Sequence, residues 1–141
     1  MNMIKNKKFI LLYLILVSFL FITNAAYSAQ KEILLKTTST WDNVEYKKLK
    51  IKNPEVTVLK INIGVGEKLS MHKHDIVNIA YVKKGTLTVV TEDNKEITLN
   101  EGEVLPELIG KYHYGKNSGD VPVELVVFYI GEKGSPLSVN K

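Results

Sequence analysis

GEKLSMHKHDIVNIAYVKKG, residues 66–85, is the stretch on which the reading of this chain turns. His72 and His74 stand two apart, and along a strand residues i and i+2 point to one face. Their imidazoles therefore project together while Lys73 points away. Two nitrogen donors held side by side by backbone alone suit a transition-metal ion. His113, the third and last histidine, lies about 40 residues further on in a second β segment. A barrel could bring it opposite the first pair. On spacing alone a metal site stands level with a blander arrangement of two surface histidines and one satisfied core histidine.

Outward from this stretch, the chain reads as short strands parted by turn residues. Residues 55–63 (EVTVLKINI) are rich in β-branched side chains and follow Pro54. Residues 76–82, 86–91 and 96–99 form further runs, closed by Gly85, by Glu92-Asp93-Asn94-Lys95 and by Asn100-Glu101-Gly102. Segments at 103–105, 112–115 and 121–130 complete the series, and a tail from Gly131 to Lys141 wraps an edge or frays. Strands at this spacing with Gly, Asn and Asp turns predict an all-β sandwich or barrel. Trp41 and Tyr46, ahead of the first strand, are expected to cap the barrel, with a substrate-stacking role as the lesser alternative.

The glycine spacing is more specific. Gly66, His72, His74, Asn78 and Gly85 resemble, in register, the first motif of the cupin superfamily. Gly102, Leu108, Gly110, His113 and Asn117, within GEVLPELIGKYHYGKN, resemble the second. The sixteen residues between Gly85 and Gly102 fit the short inter-motif segment of small single-domain members. The resemblance implies a cupin jelly-roll β-barrel over residues 29–141, with motifs at 66–85 and 102–117. It also implies that His72, His74 and His113 face inward as metal ligands. Gly85 and Gly102 fall at tight turns, where positive φ is cheap only for glycine.

Two departures from the family pattern stand out. Leu108 replaces the usual proline of the second motif, which affects a turn. Asn78 replaces the usual liganding glutamate, which affects the chemistry. An amide oxygen is neutral and a weaker donor, so Asn78 either contacts the metal weakly or hydrogen-bonds an imidazole or water. The expectation is a three-histidine centre for one divalent transition metal: Fe, Zn, Ni, Cu or Mn. Imidazole ligation predicts metal release below about pH 6–6.5, where free histidine protonates.

Residues for proton transfer are not legible. Glu107 shares parity with His113, but Gly110 interrupts the strand between them. Tyr112 and Tyr114 have the opposite parity and are expected on the outer surface or at a homodimer contact. Tyr81 is likewise expected to pack away from the ligands. Three functions stay open: a metal-dependent, dioxygenase-like or Lewis-acid enzyme on a small molecule; a non-catalytic metal or small-ligand binding barrel; and a barrel that the metal merely stiffens. The missing carboxylate weighs against oxalate decarboxylase or oxidase chemistry.

Residues 1–28 read as a secretory signal peptide, with Lys5, Lys7 and Lys8 before an apolar run and small residues ahead of a cleavage point after Ser28 or Ala29. The apolar run, about 14 residues, is shorter than the roughly 20 that span a bilayer. A periplasmic or secreted protein, with no membrane attachment after cleavage, is the expectation. Without the leader, sixteen lysines face fifteen acidic residues, so the formal charge of +4 shrinks to near +1. No basic face remains to argue for nucleic acid. The chain has no arginine, which counts mildly against phosphorylated substrates. It has no cysteine, so disulfides and thiolate ligands are excluded and the fold must hold by packing.

Overall fold

The computed structural model describes residues 29–46 and 51–141. The leader expected at residues 1–28 lies outside the described residues. Ile33–Lys141 form one compact unit, and Gln30 to Glu32 just before it are exposed. Its strands are β1 (Pro54–Ile63), β2 (His72–Lys73), β3 (Val77–Lys84), β4 (Leu87–Thr91), β5 (Glu96–Leu99), β6 (Val104–Pro106), β7 (His113–Asn117), β8 (Val123–Glu132) and β9 (Val139–Asn140). The expected strands all form, displaced by a residue or two at their ends.

Two antiparallel sheets result, ordered β1-β8-β3-β6 and β5-β4-β7-β2-β9. Alternation decides what each strand buries. Along β8, Val123, Leu125, Val127 and Tyr129 are buried, while Glu124, Val126 and Phe128 between them are not. That period of two feeds one face to the core. Opposite β8, β3 turns Asn78, Ala80 and Val82 inward, and each is 1% exposed or less. Ile63, Leu87, Val89, Leu99 and Leu105 complete the apolar core.

Gly85 shows why one turn needs glycine. It sits at φ 83°, and a Cβ there would lie 3.0 Å from the Pro122 carbonyl oxygen and 3.1 Å from the Val123 Cα. Both neighbours are backbone and have little freedom to yield.

The tail does wrap an edge. Val139 and Asn140 pair with Lys73 and His72, so β9 is a genuine edge strand beside the histidine pair. Gly131 and Glu132 belong to β8 rather than to the tail.

Candidate metal centre

β2 lies between β7 and β9, and that placement assembles the site. His72 stands directly across from His113 in the ladder. His74 falls one residue beyond β2, yet its ring stays with the others because two contacts hold the segment. Gly110, at φ 72°, donates its N–H to the His74 carbonyl at 2.7 Å. His74 Nδ1 lies 2.7 Å from the Leu137 carbonyl oxygen in the tail. The three rings converge with centroids 4.8, 4.9 and 5.1 Å apart.

All three Nδ1 atoms are committed to backbone carbonyls. His72 Nδ1 meets Ser70 O at 2.7 Å, and His113 Nδ1 meets Lys111 O at 2.9 Å. A carbonyl only accepts, so each Nδ1 carries the proton and each Nε2 is left with a bare lone pair. This is the arrangement by which metal-binding histidines are oriented. The candidate ligand atoms lie within 4.8 Å of one another. Burial favours the neutral form of His74 and His113: it lowers the His74 pKa to about 4 and also lowers that of His113. The set fits a divalent transition metal in donor type, tautomer and protonation, and His113 Nε2 is a buried atom with no protein partner.

Asn78 is 1% exposed, and neither its amide nitrogen nor its amide oxygen has a hydrogen-bond partner. It therefore does not hydrogen-bond an imidazole, one of the two roles expected for it. Glu107, left unassigned by parity, sits at the site. Its Oε2 is 3.4 Å from His113 Nε2, and burial pushes its pKa up to about 7. Gly110 does break the strand, as expected, but β6 rather than β7 positions Glu107.

Tyr129 was not anticipated, although alternation with Val123, Leu125 and Val127 places it inward. Its ring centroid is 5.7 Å from that of His74. Together with His72, His74, Leu59, Ile61, Leu69 and Leu137 it lines a cavity of about 380 Å³. Tyr112 and Tyr114 lie under the ammonium groups of Lys141 and Lys68, at 5.6 and 5.2 Å, on the face away from the ligands. Trp41 packs against the core, and its backbone N–H donates to Pro106 O at 3.0 Å, as a cap would.

A family model described as a cupin domain matches residues 59–129. Among curated proteins, none matches the sequence. Several solved structures share the fold. A cupin-like protein from Thermotoga maritima superposes with a TM-score of 0.55 at 14% identity, over 61% of this chain and 64% of that one. The DMSP lyase DddQ from Ruegeria pomeroyi gives 0.53 at 17% identity, over 61% of this chain and 43% of the lyase. A protein from Bacillus halodurans gives 0.51 at 21% identity, over 60% and 68%. At these identities the likeness is one of fold.

Proposed function

Because this chain belongs to the cupin domain family, we propose that it is an exported metalloprotein holding one divalent transition metal on His72, His74 and His113. We further propose that it is an enzyme acting on a small molecule admitted through the cavity beside them. The observation that carries the reading is the shared tautomer: three Nδ1–carbonyl contacts leave three Nε2 lone pairs for one ion. When bound, such an ion supplies Lewis acidity or a site for dioxygen.

The chain's own residues shape the rest. Leu59, Ile61, Leu69 and Leu137 exclude water from one side of the cavity, which favours a compact and largely apolar substrate. His72, the half-buried member of the trio, lies on the cavity wall beside His74, so an entering ligand meets these two rings first. The Tyr129 phenol stays protonated, its pKa raised by burial and then by the nearby Glu107 charge, and can donate a hydrogen bond to an oxygen of the substrate. The DMSP lyase neighbour supports small-molecule chemistry in a barrel of this fold, and its own substrate stays with it.

A specific observation favours the alternative of a non-catalytic metal or small-ligand barrel. Apart from the histidines, the polar residues lining the cavity are Ser70, Tyr129, Ser138 and Asn140, none of which exchanges a proton readily at neutral pH. One experiment separates the readings. Metal content of the exported, purified protein is measured alongside oxygen uptake and turnover on a panel of thiols, diketones, phenols and small carboxylates. Stoichiometric metal with turnover supports the enzyme. Metal without turnover on any of them supports the binder, and metal content unchanged by His72→Ala and His113→Ala removes the site itself.

A further inference from the structure

We propose that Glu107 is the fourth metal ligand of this protein, its carboxylate standing across the β3–β6 ladder from the position where Asn78 has replaced the family's usual glutamate. The inference rests on the three-histidine reading and deepens it.

Register carries the first step. In the β3–β6 pair, Tyr81 faces Val104, Ala80 faces Leu105, and Ile79 faces Pro106. One further step sets Asn78 opposite Glu107, and Glu107 N donates to Asn78 O at 3.2 Å. Residues opposite one another in an antiparallel pair project to the same face, with Cβ atoms about 5 Å apart. Ala80 and Leu105, two residues back along each chain, are both fully buried, so Asn78 and Glu107 point into the same interior. A carboxylate lost at one member of such a pair can be restored at the other without moving the backbone.

Contact carries the second step. Glu107 Oε2 and His113 Nε2 are 3.4 Å apart, both buried, and neither has a hydrogen-bond partner. His113 carries its proton on Nδ1, so an imidazole lone pair faces a carboxylate oxygen. Two acceptors in that position need a cation or a proton between them. Nitrogen and oxygen ligands about 2.1 Å from a tetrahedral ion stand about 3.4 Å from each other. The observed spacing matches that ligand–ligand edge and is long for a hydrogen bond. Glu107 meets the trio at His113 alone.

Asn78 offers the complementary observation. Its amide is almost fully buried and makes no regular hydrogen bond. A neutral amide beside a liganding carboxylate avoids the repulsion that two glutamates would impose at adjacent positions of one pair.

Co(II) is the probe, because its visible bands report the ligand set as well as occupancy. The chain should bind Co(II), and His72→Ala or His113→Ala should abolish binding. Glu107→Gln, nearly isosteric and without the charge, should weaken Co(II) binding about 100-fold and shift the visible bands. The double variant Asn78→Glu with Glu107→Gln should recover most of the affinity, since the carboxylate returns from the paired position. Unchanged affinity and bands in Glu107→Gln would overturn the proposal while leaving the histidine site standing. Weaker binding with unmoved bands would also overturn it, showing that Glu107 acts through His113 rather than on the metal. Co(II) binding that survives both histidine variants would overturn this proposal and the site together. Should Glu107→Gln fail to fold, Glu107→Asp keeps the charge but withdraws it by one methylene. It should give weaker binding and moved bands, and unchanged values would count against ligation in the same way.

Discussion

Two asparagines divide the barrel into ends that obey different rules. Asn117 is buried and fully engaged: its amide nitrogen donates to Ile63 O at 3.1 Å and Val121 O at 2.8 Å, and its oxygen accepts from Gly119 N at 2.9 Å. Asn78 is buried more deeply, and neither amide atom makes a regular hydrogen bond, although the Tyr129 phenol beside it is near enough to feel it. Around Asn117 lie Ile63, Val123 and Leu87, an apolar end closed by packing. Beside Asn78 lies Glu107, which in turn faces His113; each has a buried polar atom lacking a partner, and Trp41 Nε1 and Tyr46 OH are in the same condition. Every such atom found among the described residues belongs to the histidine half or its cap. Buried polar groups are normally paired, because leaving one unpaired costs about 1–3 kcal/mol. One end of the molecule is thus optimised for stability, and the other holds its polar groups in reserve for something that enters.

That contrast breaks most visibly under His113→Ala. Metal bound to the purified protein, measured by elemental analysis, should fall below about a hundredth of the wild-type affinity, since a bidentate remnant of His72 and His74 retains little of the site. Thermal unfolding of the metal-free variant should nevertheless stay cooperative. Substitution at the other end should do the reverse. Leu87 is 1% exposed in the core, and Leu87→Ala should cost about 2–5 kcal/mol in urea unfolding. Its metal affinity should remain within a few-fold of wild type. If the Leu87 variant loses metal as badly as the His113 variant, the two ends are not independent.

The pH response sharpens the same division. Burial lowers His74 in the folded chain to about 4 from 6.5, so the unfolded state binds the extra proton between those values. The stability this represents is present above pH 6.5 and lost as pH falls through about 4, on the order of 3 kcal/mol in all. His113 acts in the same direction. Glu107 acts oppositely: burial raises it to about 7 from 4.5. Its contribution is present below pH 4.5 and lost as pH rises through about 7. In the metal-free protein the two slopes offset each other between about pH 4.5 and 6.5. Wild-type stability should therefore rise across that window only by what His113 adds, and fall at lower pH. Glu107→Gln removes one slope, so its stability should climb with pH through the window and exceed wild type at pH 8. Parallel urea-midpoint profiles for the two proteins would show that Glu107 does not titrate as placed here.

How much of this the sequence disclosed follows from the kind of contact involved. Strands were legible because alternation and turn glycines are local signals, and the histidines were legible because i and i+2 share a face. The Leu137 carbonyl that fixes the His74 tautomer left no trace, since any residue supplies a carbonyl and this one lies 63 positions away. Glu107 was visible as a residue but not as a neighbour. Parity along the chain toward His113 crosses a glycine that breaks the strand. The relation that matters runs across the ladder to Asn78, and cross-strand register is settled by packing of Ala80 and Leu105. Tyr129 could have been found from the alternation of β8, had the buried face been followed one step past Val127.

The smallest test returns to the two asparagines. Removing the Asn117 side chain strands the Ile63 and Val121 carbonyls and the Gly119 N–H, so Asn117→Ala should cost about 1–3 kcal/mol. Removing the Asn78 side chain breaks no regular hydrogen bond, and only the neighbouring Tyr129 phenol feels its loss. It also relieves an unpaired buried dipole, against which stands the small cavity left behind. These terms oppose each other, so Asn78→Ala in the metal-free protein should stay within about 1 kcal/mol of wild type. The two residues are alike in type and in burial, and their difference in cost isolates what their partners contribute. If Asn78→Ala proved as damaging as Asn117→Ala, Asn78 would have a structural partner in solution, and the polar end would be a second packed core rather than a site held open for a ligand.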